Sequence, residues 1–499
     1  MFINFAPISL KLLFCSFNLG SMAGPSYLVN ILDSNHVSAP KGSVPSTTLA
    51  LTYLDLPWFP SAPMQSLFFY EFPHPTSHFM QTTLPTLTQS LSLTLQHFFP
   101  LAAKLICPPP PLKPYILYSD GDSVPLIVAE LTGADVDHLT ANYPRDFKLL
   151  HPFVPELPPS TMSSDGILVM PIMAVKVTVF PNTGVCIGMA HNHVAADGSA
   201  FMHFMRSWSS VCKSKGDSTF LDEESRRPFY NRDALGDPDG CNEEALKYYW
   251  HWISSWREHL AGPTKAISSV DKVRATFVLT RDQVTKLKQW LTTQCKNSSN
   301  DSEEVKISTF VVTCSIMWIC IIKSQENNIQ VSTNGDDDDD DDDTFYYLLF
   351  AVDCRNRIGF PLPVTYFGNC LAPGIIRAKK SELMGAKGIV TAGKAIAKKV
   401  KEMESGALKE AEKGPSNLEE MFRSGHHVGI SGSPKFRVYD MDFGWGRPLK
   451  IEFIHIDDGG SLSLIESKNE SGGMEVSLVL SKNQMDAFTS NLAESLKAF

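Results

Sequence analysis

An α/β protein of two domains, with mixed sheets covered by helices, is the architecture this sequence predicts, on three observations. At 499 residues the chain exceeds one ordinary hydrophobic core, so two units of about 200–250 residues are expected. Short apolar runs of strand character alternate with stretches of helical period, the pattern of a layered α/β chain. Residues 213–242 are polar and carry Gly216, Pro228, Gly236, Pro238 and Gly240, which reads as a crossover linker. The expected units are therefore 22–212 and 243–499.

Taken in order, residues 1–21 read as an extension outside the fold. Residues 2–20 are apolar, but they lack the basic start of a secretory signal and Lys11 interrupts them. They are also too short and broken for a membrane span. Residues 84–98 have helical period. Residues 167–180 form a run rich in β-branched residues, Pro181-Asn182-Thr183-Gly184 is a turn, and 185–190 run back as a second strand. From Ser199 onward, Phe201, Phe204, Met205, Trp208 and Cys212 follow helical spacing. Past the linker come a helix over 281–294, a polar loop over 295–306 and an apolar run over 307–322. Residues 325–344 read as a low-complexity acidic loop. Its run of eight aspartates, 336–343, lacks the spaced ligands and glycine of a calcium loop, and self-repulsion predicts disorder. Lys379, Lys380, Lys387, Lys394, Lys398, Lys399 and Lys401 read as the solvated face of a helix.

Composition excludes several functions. Of the net charge of −10, eight charges belong to that aspartate run, so the rest of the chain is nearly neutral and has no basic field for nucleic acid. The ten cysteines are scattered without a C-x-x-C pair, as expected of reduced cytosolic thiols rather than disulfides or a metal site. No Walker or Rossmann glycine loop is present. The chain is expected to be a cytosolic monomer with no metal and no membrane partner.

The most informative residues are His193-Val194-Ala195-Ala196-Asp197, where a strand gives way to a tight turn and then a helix. Such an edge presents an imidazole to a cleft. His191 is expected on the same strand face with a structural role, and Asn192 is expected to point away. Two further motifs accompany this one: Tyr366-Phe367-Gly368-Asn369-Cys370, preceded by Asp353-Cys354-Arg355, and Asp442-Phe443-Gly444-Trp445-Gly446. In this order and spacing the three resemble the plant BAHD family of acyl-CoA-dependent acyltransferases, from about Met22 to the C-terminus. The Tyr-Phe-Gly-Asn-Cys form, with Phe68-Phe69-Tyr70-Glu71-Phe72-Pro73, is similar to the anthocyanin and phenolic-glucoside branch.

That resemblance implies two chloramphenicol-acetyltransferase-like domains with an active-site channel between them. It also implies acyl-CoA as co-substrate rather than a bound cofactor, with a hydroxylated small molecule as acceptor, such as a sugar on a flavonoid or other phenol. A thioester donor is already activated, so the chemical need is a base for the attacking hydroxyl. A neutral imidazole suits that task near neutral pH, which makes His193 the expected general base. Asp197 is expected to turn from His193 and pair with an arginine, for which Arg355 is the match. Tyr366, Gly368, Asn369, Asp442, Gly444, Trp445 and Gly446 are expected to be architectural, and Ser431, Gly432 and Ser433 to line the substrate pocket. The donor stays open between malonyl and hydroxycinnamoyl. A buried malonyl carboxylate needs a cation, and the helix after His193 offers Phe201, Met202 and Phe204 before Arg206. The competing reading is a catalytically silent binding protein of the same fold.

A chain started at Met22, or one lacking residues 336–343, is expected to keep its solubility and melting temperature, since neither segment contributes to a core. Calorimetry of both variants checks this.

Overall fold

The computed structural model describes residues 29–237, 240–259, 271–297, 306–332, 344–357, 362–404, 406–407, 414–457 and 459–497. The 1–21 extension and the aspartate run lie outside them. The fold is α/β with three sheets. A six-stranded mixed sheet runs, in spatial order, Asn30–Ser38, Ser123–Glu130, Met173–Phe180, Gly184–His191, Met64–Glu71, Lys450–Phe453. A seven-stranded mixed sheet runs Leu371–Lys379, Phe345–Asp353, His427–Ser431, Ser461–Glu466, Met474–Ser481, Lys272–Leu279, Arg145–Asp146. A smaller antiparallel sheet of five strands completes the first half of the chain.

Each large sheet ends in a strand from the other half of the sequence. Lys450–Phe453 pairs with Met64–Glu71, and Arg145–Asp146 pairs with Lys272–Leu279. The two exchanges converge on one buried charge cluster. Glu452 Oε1 accepts from Arg145 Nη2 at 2.6 Å and its Oε2 from Arg274 Nη1 at 2.7 Å, while Arg274 also pairs with Asp457. Burial alone would push the Glu452 carboxyl up, but the guanidiniums of Arg274 and Arg145 hold it down at about 2.

The expected 167–180 strand is broken. Leu168–Pro171 belongs to the five-stranded sheet and Met173–Phe180 to the six-stranded one. Pro171 has no N–H to donate, and the Ile172 carbonyl at the break instead accepts from Asn192 N at 2.8 Å. That bond ties the break to the turn after His191. The neighbouring strand contains Gly188 because a Cβ there would lie 2.1 Å from the Phe153 carbonyl oxygen. The apolar run 307–322 is part of the Thr309–Ser332 helix, which lies between the Gly388–Glu404 and Lys482–Lys497 helices and is buried nearly all round at its start. This helix takes in residues 325–332, which sequence reading assigned to the acidic loop. The lysine-rich stretch is not one helix either: Lys379 ends a strand, and the rest divide between Lys380–Met384, a turn and Gly388–Glu404. Among the described residues no helix is long and apolar enough to cross a membrane.

Arg274→Met strands Glu452 and Asp457 beside one fewer cation, and is expected to cost about 3–5 kcal/mol of stability. A lowered urea midpoint checks this; the exposed Lys247→Met is expected to leave the midpoint in place.

Candidate active site

Strand Gly184–His191 delivers the chain to a turn closed by Ala195 N to Asn192 O and Ala196 N to His193 O. Asn192 is not a bystander there: its Oδ1 accepts from Val194 N at 3.1 Å and stiffens the turn. Asp197 then caps helix Gly198–Lys213, accepting from Ala200 N at 2.9 Å. Because the strand ends at His191, the two histidines do not share a face. The His191 ring stacks on Phe201, with centroids 3.8 Å apart, and the His193 ring on Trp58, at 3.7 Å and an interplanar angle of 11°.

His193 is only 6% exposed, and among the described residues its Nδ1 meets no hydrogen-bond partner of good geometry. Burial lowers its pKa, opposed in part by the Asp197 carboxylate. The ring is therefore neutral at neutral pH, the form in which an imidazole accepts a proton.

Asp197 does turn away. Among the described residues its carboxylate accepts from Arg355 Nη2 at 3.1 Å, Ala200 N and Cys370 N at 3.0 Å, and its Oδ2 lies 3.0 Å from Arg355 Nη1. Asp197 is fully buried and Arg355 nearly so. Arg355 Nη2 also donates to the Tyr366 carbonyl at 3.0 Å. Asn369 donates through Nδ2 to the carbonyls of His193 at 2.9 Å and Val194 at 3.1 Å, so the Tyr366–Asn369 segment clamps the histidine turn.

Sequence reading missed a second carboxylate–guanidinium layer beneath that clamp. Asp55, fully buried, accepts from Asn369 N and Nδ2 at 2.9 and 3.0 Å and from Thr52. Arg232 Nη1 lies 3.7 Å from Asp55 Oδ2 and donates to the Tyr366 hydroxyl at 2.8 Å. Gly368 is required between them, because a Cβ there would sit 1.6 Å from Arg232 Nη1. The linker is thus part of the site's foundation, supplying Arg232 and the bridge between Phe229 and Tyr366. Trp58 and Arg232 carry no local signal, and Asp55 shows only its bond to Thr52, since their contacts with His193, Tyr366 and Asn369 span more than a hundred positions.

The Asp442–Gly446 motif stands apart. Asp442 Oδ1 accepts from Gly444 N at 2.8 Å and Gly446 N at 2.9 Å, and both glycines have φ above +90°. Lys213, at the far end of the helix that Asp197 caps, pairs with Asp442 at 2.7 Å. That helix has 16 residues, which puts the motif about 24 Å along its axis from the His193 turn. Trp445 packs on Phe443, Tyr70 and Phe72. The Ser431–Ser433 segment runs from His455 to the turn that covers Gly198. Ser431 Oγ lies 2.7 Å from Nε2 of His455, a residue not singled out from sequence. Ser433 caps the turn Pro434–Phe436, and the Phe436 ring covers Gly198 so closely that a Cβ there would be 2.5 Å from it.

Residues 28–495 match the model of the Transferase family. The chain belongs to this family, the BAHD acyltransferases. It is an O-acyltransferase with an acyl-CoA donor. Among relatives of this BAHD chain, coumaroyl-CoA:anthocyanidin 3-O-glucoside-6''-O-coumaroyltransferase 1 of Arabidopsis thaliana is 41% identical, over 94% of this chain and 98% of its own. Malonyl-coenzyme A:anthocyanin 3-O-glucoside-6''-O-malonyltransferase of Dahlia pinnata is 35% identical, over 92% and 96%. The crystal structure of vinorine synthase superposes with a TM-score of 0.66 at 19% identity, over 93% of this chain and 98% of that one. The fold of this BAHD protein is accordingly chloramphenicol-acetyltransferase-like.

Asp197→Asn keeps a helix cap but leaves Arg355 short of its counter-charge, at a cost of about 3–5 kcal/mol. Melting temperature is expected to fall at least as markedly as turnover per folded molecule. Unchanged stability with a loss of several orders of magnitude in turnover would instead make Asp197 a partner of the base.

Proposed function

We propose that the protein transfers a hydroxycinnamoyl group, of coumaroyl type, from CoA to a sugar hydroxyl of an anthocyanin or similar phenolic glucoside. The observation that carries the reaction type is the neutral, buried His193 imidazole at the mouth of a rigid turn. His193 takes the proton of the acceptor hydroxyl as its oxygen adds to the thioester carbonyl. The tetrahedral species then collapses, the ester forms, the carbon–sulfur bond breaks, and the thiolate of CoA leaves and takes up the proton. No covalent enzyme intermediate is required. Asp197, Arg355, Tyr366, Gly368 and Asn369 hold the base in place; Asp442, Gly444, Trp445 and Gly446 shape the backbone at the other end of the helix.

Two considerations favour the aromatic donor over malonyl. The coumaroyltransferases named among the relatives are 41% and 40% identical, against 35% for the malonyltransferases of Dahlia pinnata and Nicotiana tabacum. The cation nearest the motif on its helix, Arg206, spends Nη1 on the Phe436 carbonyl at 2.7 Å, while Trp58, Phe201 and Phe436 supply apolar surface. We place the two domains on either side of the 213–242 linker, with the substrate channel between them. All site residues come from one chain, so a monomer suffices. Among the described residues Cys107, Cys186, Cys212, Cys314, Cys320, Cys354 and Cys370 are free thiols, all buried, in keeping with a reducing cytosol.

His193→Ala is expected to lose about 10²–10⁴-fold in transfer while CoA affinity and folding stay nearly unchanged. In the intact enzyme the rate is expected to rise with pH and level off, with a half-point below about 6.5 because burial favours the neutral ring. Product masses from malonyl-, acetyl-, coumaroyl- and caffeoyl-CoA with flavonoid glucosides decide the donor. Near-normal activity in His193→Ala, or an acyl group trapped on a cysteine or serine, would sink the mechanism; preferred malonyl transfer would overturn the donor.

A further inference from the structure

We infer that Ser431 and His455 form a hydroxyl-recognition pair beside His193, in which Ser431 Oγ accepts a hydrogen bond from a sugar hydroxyl of the acceptor adjacent to the one being acylated. This rests on the acyl-transfer reading above. The argument begins with the His455 ring. Its Nδ1 lies 3.2 Å from the carbonyl oxygen of Gln65, which can only accept, so Nδ1 carries the proton. The ring is neutral, since burial holds its pKa at about 4. Nε2 therefore has a bare lone pair, and the Ser431 hydroxyl, 2.7 Å away, must donate to it.

The proton of Ser431 is thus committed inward. Among the described residues Oγ has no other hydrogen-bond partner, and what it presents outward is acceptor lone pairs only. Such a site rejects carbonyls, carboxylates and phosphates and takes a hydroxyl, which donates.

Its position ties it to the reacting centre. Gln65 stands opposite Ala190 in the six-stranded sheet, one residue before His191. A proton on His193 would disfavour one on His455, so the two rings lie near each other, and Phe436, five residues beyond Ser431, covers Gly198. Ser431 and His455 are both half-buried, as a cavity wall is. The phenol of a coumaroyl group stands at the far end of a propenoyl chain from the carbonyl that His193 serves. Ring hydroxyls next to the attacking one lie on the near side.

The test uses the full chain with coumaroyl-CoA and a phenolic glucoside. Ser431→Ala is expected to raise the glucoside KM and its calorimetric Kd about tenfold, the upper range for one neutral hydrogen bond. Turnover should change little and the coumaroyl-CoA KM not at all, because the lost contact holds ground and transition states alike. Ser431→Thr, which keeps the hydroxyl, should restore the wild-type KM. Among monodeoxy glucosides of the same phenol, one should bind wild type and Ser431→Ala equally. An unmoved glucoside Kd in Ser431→Ala, a raised coumaroyl-CoA KM in its place, or failure of Ser431→Thr to rescue overturns the pair. Should the wild type bind the glucoside without acylating it, the proposed function falls, and the Kd of Ser431→Ala still decides the pair.

Discussion

Asp197 and Arg355 are joined inside the protein through two close oxygen–nitrogen contacts, and the geometry of the site descends from that bond. Neither group has access to enough water to exist there alone, so each dictates where the other's backbone must run. Asp197 lies between a turn and a helix; Arg355 follows directly on a strand of the other large sheet. Joining them fixes the histidine turn against the Tyr366–Asn369 segment, and Asn369 completes the hold by donating to the backbone of His193 itself. Asp55 and Arg232 repeat the device one layer down. A buried ion pair adds little net stability over an apolar substitute, but it tolerates almost no displacement, and a base requires that of its support.

The same logic operates where the halves of the chain exchange strands. Lys450–Phe453 and Arg145–Asp146 are short, and short edge strands alone hold poorly. The carboxylate of Glu452, shared between Arg145 and Arg274, locks both exchanges at once. Lys450, next to it, donates to Asn142 and Thr276, extending the polar contact across the seam. The consequence for the site is that residues from distant parts of the sequence, His193 and His455 among them, are held near one another by a joint that resists shear.

Around the proposed base the protein removes water and does not add charge. His193 lies on Trp58, His191 on Phe201, and burial keeps His191, His193 and His455 neutral, with a proton on His193 further discouraging one on His191 or His455. A carboxylate bonded to His193 would raise its basicity; here the nearest one is engaged by arginine instead. This suits a reaction whose donor is already an activated thioester, where a neutral acceptor of modest basicity is sufficient and stays unprotonated at neutral pH.

What the sequence determined by itself was local. The period of Phe201, Phe204, Met205 and Trp208 marks a helix, Pro181–Gly184 marks a hairpin, and the motifs carry their own turns: the cap at Asp197, the positive-φ glycines Gly444 and Gly446 folded around Asp442. These depend on neighbours within a few residues, so they can be read from the chain. Arg355 as partner of Asp197 was legible only through resemblance to a family, since nothing between positions 197 and 355 announces the contact. The tertiary structure alone decided the break at Ile172, the entry of Arg232 from a stretch that reads as linker, the stacking of Trp58 on His193 and the meeting of Ser431 with His455. Each is a contact between segments that are local on their own and unrelated in sequence, brought together because burying their charges and rings admits one packing.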